Sequence, residues 1–165
     1  MFKRLQERRI NADDDIGSLL YDQDTFYDAF LADLKNCHDE LIIESPFITT
    51  KRMNNLLPVL RKLAKRGVKI VVNTRNPLEH DDIHRNQAVQ AVTDLQGLGA
   101  LVLFTVGHHR KIAVIDRTIT WEGSLNILSH NDSCEIMRKI ISPTLSQNMV
   151  QFLHIERYIM QFGGR

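Results

Sequence analysis

The sequence predicts an α/β fold, a mixed, mostly parallel β-sheet flanked by helices on both faces. Two observations carry this expectation. Short, near-continuous apolar runs alternate with amphipathic helical periods over the first two thirds of the chain, the pattern of a sheet covered on both sides. The last third is richer in strands joined by short turns, so the sheet is expected to be mixed rather than wholly parallel. A chain of 165 residues, 43% hydrophobic and 25% charged, carries enough apolar material for one core without disulfides or metal.

Residues 1–15 are polar, basic and then acidic, and lack the apolar centre of a signal peptide. They are expected to form a linker or exposed segment, followed by a single domain over 16–165. Residues 16–21 predict a short edge strand. Asp24 is the candidate N-cap of a helix reaching about Cys37, with Phe26, Tyr27, Phe30, Leu31 and Leu34 on one face. Residues 41–45 read as a buried strand ending at Pro46. Met53, Leu56, Leu57, Leu60 and Leu63 mark a second helix closed by Gly67, and Pro58 within it predicts a start near Leu57 or a bend. A strand over 68–73 and a third helix over 83–98 follow, with Asp81 and Asp82 as N-cap and first-turn charges. Strands are expected at 100–104, 110–116 and 134–141, and one last helix from about 145 to 162.

The formal net charge of +1 means that binding to a polyanion would rest on a local basic patch, not on the field of the whole molecule. Cys37 and Cys134 lie far apart and are expected to be buried, reduced thiols in a cytoplasmic protein. No apolar run approaches the ~20 residues that span a bilayer. His80 and His84 have the i, i+4 spacing that can hold zinc on a helix, but no third ligand joins them in sequence, so no metal site is expected.

The chemistry gathers in residues 108–126, HHRKIAVIDRTITWEGSLN. On a strand, His109 and Lys111 project to one face, a nucleophile or proton carrier beside a fixed positive charge. Gly123, Ser124 and Asn126 add a tight turn with short polar side chains. This combination suits a phosphate ester. Asp116 lies an odd number of residues from both His109 and Lys111, which places it on the opposite face as a structural residue.

The spacing His109-x-Lys111-(x4)-Asp116-(x6)-Gly123-Ser124-x-Asn126 resembles the HKD motif of the phospholipase D superfamily. From about Leu19 onward the chain is similar to the small, single-motif phospholipase D-like nucleases. The resemblance implies the phospholipase D/nuclease fold. It also implies a metal-independent phosphodiesterase in which His109 attacks phosphorus and forms a phosphohistidine, with no cofactor. Glu135 is the expected acceptor for the far nitrogen of His109. Lys111, Ser124 and Asn126 are expected to hold the non-bridging phosphate oxygens, with Asp116 and Gly123 as scaffold.

Two histidines are needed and the chain has one motif, so a homodimer is expected, each subunit giving one His109. Nucleic acid is the expected substrate, DNA ahead of RNA, with no membrane partner. The basic residues Lys51, Arg52, Arg61, Lys62, Lys65, Arg66 and Lys69 are expected to follow a phosphate backbone, and His108 to line the substrate path. The polar N-terminal stretch fits the nuclease domain of a larger restriction, repair or helicase-linked protein. The alternatives are a phospholipase or phosphatidyl transferase, and a non-catalytic nucleic-acid-binding dimerisation module.

Overall fold

Long crossovers force parallel neighbours and short turns force antiparallel ones, and this chain uses both. In the computed structural model, which describes residues 17–130 and 132–162, the strands are β1 (Gly17–Asp22), β2 (Glu40–Glu44), β3 (Lys69–Thr74), β4 (Leu101–Phe104), β5 (Ile112–Ile115), β6 (Ile119–Gly123) and β7 (Ile136–Ile141). They form one sheet in the order β1-β7-β6-β5-β2-β3-β4. Helices α1 (Phe26–Lys35), α2 (Thr50–Lys65) and α3 (Asp82–Gly97) connect the first four strands, and α4 (Pro143–Leu153) and α5 (Glu156–Phe162) close the described chain. The expected linker over 1–15 lies outside the described residues.

The sheet is mixed and flanked by helices, as expected, but parallel pairing is confined to β2–β3 and β3–β4. The pairs β1–β7, β2–β5, β5–β6 and β6–β7 are antiparallel. The "mostly parallel" part of the expectation therefore gives way. Crossovers through α2 and α3 make the parallel part, and the compact connections after Ile112 leave only antiparallel neighbours.

Strand alternation divides the core in two. Leu41, Ile43, Ile70, Val72, Ala113, Ile115 and Trp121 point to the face covered by α1, α2 and α3. Ile42, Val71, Ile112 and Val114 meet Val150, Leu153 and Ile159 of α4 and α5 on the other face. Both faces of the central strands are thus dry, which explains their unbroken apolar runs.

Several local expectations change. α1 starts at Phe26, because Asp22 accepts from the backbone N–H groups of Asp24 (3.1 Å) and Thr25 (2.9 Å) and holds them in a turn. Pro58 neither starts nor ends α2. It lies on the exposed side, where water can take the carbonyl it leaves unpaired. The last helix is two helices, broken at His154, which adopts φ 54°. Cys37 is a buried free thiol, whereas Cys134 is exposed. β6 was not anticipated as a separate strand.

Candidate active site

β5 runs antiparallel to β2, with Ile112 opposite Glu44. The residues just before β5 therefore stand at the carboxyl ends of β2 and β3, where the sheet changes from parallel to antiparallel. His109 and Lys111 occupy that edge. Lys111 Nζ donates to His109 Nδ1 at 2.8 Å and to the His109 carbonyl at 2.7 Å. Burial lowers the Lys111 pKa, Glu135 opposes this by attraction, and Arg75 adds to it by repulsion. The two side chains line an open cleft of about 340 Å³ with Glu122, Gly123, Ile136 and Arg138.

Gly123 ends β6 beside them, its N–H donating to the Lys111 carbonyl at 3.3 Å. Ser124 follows. Its N–H donates to the Ile136 carbonyl (2.9 Å) and its hydroxyl accepts from the Ile136 N–H (3.1 Å). The same hydroxyl donates to Glu135 in a short contact. Glu135 also accepts from Ser133 Oγ at 2.6 Å, and its N–H is held by Gln23 Oε1 at 3.0 Å. The geometry therefore differs from the expected Glu135–His109 hydrogen bond: Glu135 faces Ser124 and Ser133, and Lys111 is the group against the His109 ring. Asn126 lies two residues beyond Ser124, and its Oδ1 is buried with no partner among the described residues.

Asp116 sits at the other end of β5, remote from His109. Its carboxylate accepts from the backbone N–H groups of His38 (2.9 Å), Asp39 (2.8 Å) and Glu40 (3.0 Å). Burial works against its charge, but those three donors win and hold its carboxyl below the usual range. It clamps the start of β2 to the end of β5 and does not approach the cleft.

Two expectations are corrected. His108 does not line the substrate path, since it is only 2% exposed. The cluster Arg61, Lys62, Lys65 and Arg66 lies at the wrong end of α2 to meet a substrate held at His109. α2 begins beside the carboxyl end of β2 and runs back, so that Arg66 Nη1 and Nη2 donate to the carbonyls of Lys35 (3.0 Å) and Cys37 (2.6 Å), before β2 begins. His80 and His84 also separate: His84 bonds Asp81 at 2.8 Å, while the ring of His80 packs on Phe47. Among the described residues no group of three or more His, Cys, Asp or Glu converges as a metal ligand set.

Sequence reading missed a buried polar network behind the motif. Glu44, fully buried at the end of β2, accepts from Asn73 Nδ2 at 2.8 Å and lies 3.2 Å from Arg110 Nε and 3.5 Å from His108 Nε2. Asn73 also bonds Thr105, and Arg75 donates to the His108 carbonyl at 3.1 Å. Burial pushes the Glu44 carboxyl up, and burial followed by Arg110 pushes His108 down to about 4. His108 is therefore a neutral strut under the loop that carries His109. A glutamate at the end of an apolar strand was the available signal.

Residues 30–155 match the family model described as cardiolipin synthase, PLD-like domain, and the protein belongs to this phospholipase D-like family. Its fold is similar to that of Nuc, a phospholipase D family member from Salmonella typhimurium, at TM-score 0.69 and 13% identity over 84% of this chain and 91% of that one. NucT from Helicobacter pylori superposes at TM-score 0.66 and 14% identity, covering 84% and 93%. Phosphatidylserine synthase from Haemophilus influenzae superposes at TM-score 0.59 and 12% identity, covering 89% of this chain and 39% of that one. At such identities the likeness is one of fold. No curated protein matches the chain in sequence. Among the described residues no helix is long and apolar enough to cross a membrane.

Proposed function

We propose that the protein is a metal-independent nuclease that cleaves DNA or RNA through a phosphohistidine, with an active site shared between two copies of the chain. The contact between Lys111 Nζ and His109 Nδ1 beside an open cleft is the observation that carries this reading. It pairs a nucleophile with a cation able to hold a non-bridging oxygen. Attack through Nε2 needs the ring proton on Nδ1, the atom to which Lys111 now donates. A phosphate oxygen that draws Lys111 away releases Nδ1 for that proton. Nε2 then forms the N–P bond as the P–O bond to the leaving alcohol breaks. The leaving oxygen takes its proton from the second histidine, His109 of the partner subunit. That neutral imidazole next removes a proton from water, whose oxygen displaces His109 from phosphorus. Ser124 donates to a phosphate oxygen as charge builds there by turning its hydroxyl away from Glu135.

Wild type and His109→Ala are compared on labelled single- and double-stranded DNA and RNA in EDTA. Wild type is expected to cleave at least one of the four substrates and to form an acid-labile phosphoprotein, and His109→Ala to do neither. Equal cleavage by both proteins rejects the assignment.

A phosphatidyl-transfer reading has one observation in its favour. Val106 and Leu78, in the segments that follow β4 and β3 at the same end of the sheet as His109, are 85% and 74% exposed apolar side chains. Turnover of phosphatidylcholine vesicles in preference to plasmid DNA would establish it instead.

A further inference from the structure

A second cluster of cations stands behind the catalytic loop, at the opposite end of α2 from Arg61 and Lys62. Lys51 Nζ lies 2.8 Å from His130 Nε2, and Arg52 Nη2 lies 3.3 Å from His130 Nδ1. A neutral imidazole has one acceptor nitrogen. Whichever tautomer His130 adopts, one of the two cations meets an N–H, and a charged ring meets both of them that way. The carboxylate found at this ring among the described residues is Asp132, 3.4 Å away and 97% exposed, too well solvated to neutralise the group.

Arg52 is held rather than free to swing away. The Arg52 guanidinium lies 3.2 Å over the Tyr27 ring, whose hydroxyl donates to the Ile127 carbonyl at 2.8 Å. Arg52 Nε is buried with no hydrogen-bond partner. The His130 backbone N–H is fixed on Thr49 Oγ1 at 3.0 Å. Donors crowded on one ring and anchored from behind are relieved by an anion with several acceptor oxygens.

A cavity of about 320 Å³ opens beside Arg52 and His130, lined also by Asp24, Tyr27, Asp132 and Ser133, with Lys51 outside its lining. These residues belong to the loop that carries Ser124, Asn126 and Glu135, or pack against it. Ser133 joins the two places, since it lines the cavity and donates to Glu135 Oε1 at 2.6 Å. Two residues of chain span at most about 7 Å, so the cavity and the Glu135 carboxylate are neighbours.

We propose that Lys51, Arg52 and His130 form a second phosphate subsite, which takes a backbone phosphate of a nucleic acid other than the one held at His109. The proposal rests on the nuclease reading above and names how the substrate is gripped beyond the scissile bond. A strand carrying one charge about every 3.4 Å of its axis offers further phosphates beyond the scissile one.

The test measures binding of fluorescein-labelled oligonucleotides by anisotropy in EDTA between 50 and 200 mM salt, with His109→Ala as the non-cleaving parent. Adding Lys51→Gln is expected to flatten the slope of log K against log salt by about 0.7 on a single strand or about 0.9 on a duplex. Lys51→Arg restores it. Arg61→Gln, the same loss of charge about 15 Å further along the same helix, leaves it unchanged. An unchanged slope in Lys51→Gln, or an equal loss in Arg61→Gln, overturns the subsite alone. A parent that shows no salt-dependent binding overturns the nucleic-acid reading itself, and the subsite with it.

Discussion

A methyl group at Gly123 would stand 2.1 Å from the Ile136 carbonyl oxygen and 2.8 Å from Met137 Sδ. The glycine is required by the close approach of β6 and β7, immediately before Ser124. Gly123→Ala is expected to cost about 1–3 kcal/mol or more in urea denaturation, because the obstacle is backbone and cannot swing aside. It is also expected to displace Ser124 from Glu135, so activity falls under conditions where the variant remains folded.

His108 makes the second residue-scale prediction. Its folded pKa of about 4 lies below the roughly 6.5 of an unfolded histidine. Between those values the unfolded chain binds a proton that the folded chain refuses. Stability therefore falls as the pH drops from about 6.5 to 4. Glu44, raised by burial, acts in the opposite sense, and Arg110, Arg75 and Lys111 surround the pair. The readout is accordingly the difference from His108→Gln, whose melting temperature is expected to fall less on acidification. Parallel curves for the two proteins would reject the role given to His108.

Among elements, the β5–β6 turn stores the most local constraint. Asp116 and Arg117 both adopt positive φ, at 49° and 51°. The Asp116 carboxylate holds three backbone N–H groups, and Arg117 bonds Glu40 at 2.8 Å and Glu156 at 2.8 Å. Asp116→Ala strips acceptors from donors at the entry to β2 and is expected to cost about 2–3 kcal/mol by chemical denaturation. Asp116→Asn, which keeps one acceptor oxygen, is expected to cost less.

The elements also show what was legible before folding. The central strands and α2 and α3 were readable because burial on both faces, or on one helical stripe, leaves an unbroken periodic trace. His109, Lys111, Ser124 and Gly123 were readable because their spacing is local. The network of Glu44, Asn73, Thr105 and His108 was not, because it joins residues from separate strands. The α2 charges misled for a physical reason. Lys62 and Lys65 occupy the last turn, where cations complement the helix dipole, and Arg66 caps backbone carbonyls near the end of α1. Basic residues placed for helix stability look the same in sequence as basic residues placed for a ligand.

At the scale of the whole molecule, the cleft beside His109 opens on a part of the sheet that no helix covers among the described residues. There Leu20 and Ile136 are exposed next to Glu122 and Arg138. Among the described residues α4 and α5 cover the neighbouring strands and stop short of this part. A second copy seated here would bring its own His109 to the site. Sedimentation under assay conditions is therefore expected to show a dimer, with activity falling as dilution separates the subunits. Full activity in a monomer would remove the shared site from the mechanism.

The pairing of β1 with β7 has a consequence for the order in which the site is completed. Gln23, just past β1, holds the N–H of Glu135, a residue 112 positions further along the chain. Contacts so distant in sequence close late, after nearer ones have reduced the freedom of the chain between them. During synthesis His109 and Lys111 are added to the chain before Glu135 and β7. The nascent chain thus carries the cationic half of its site first, and the acidic half is added only when the last strand zips onto the first.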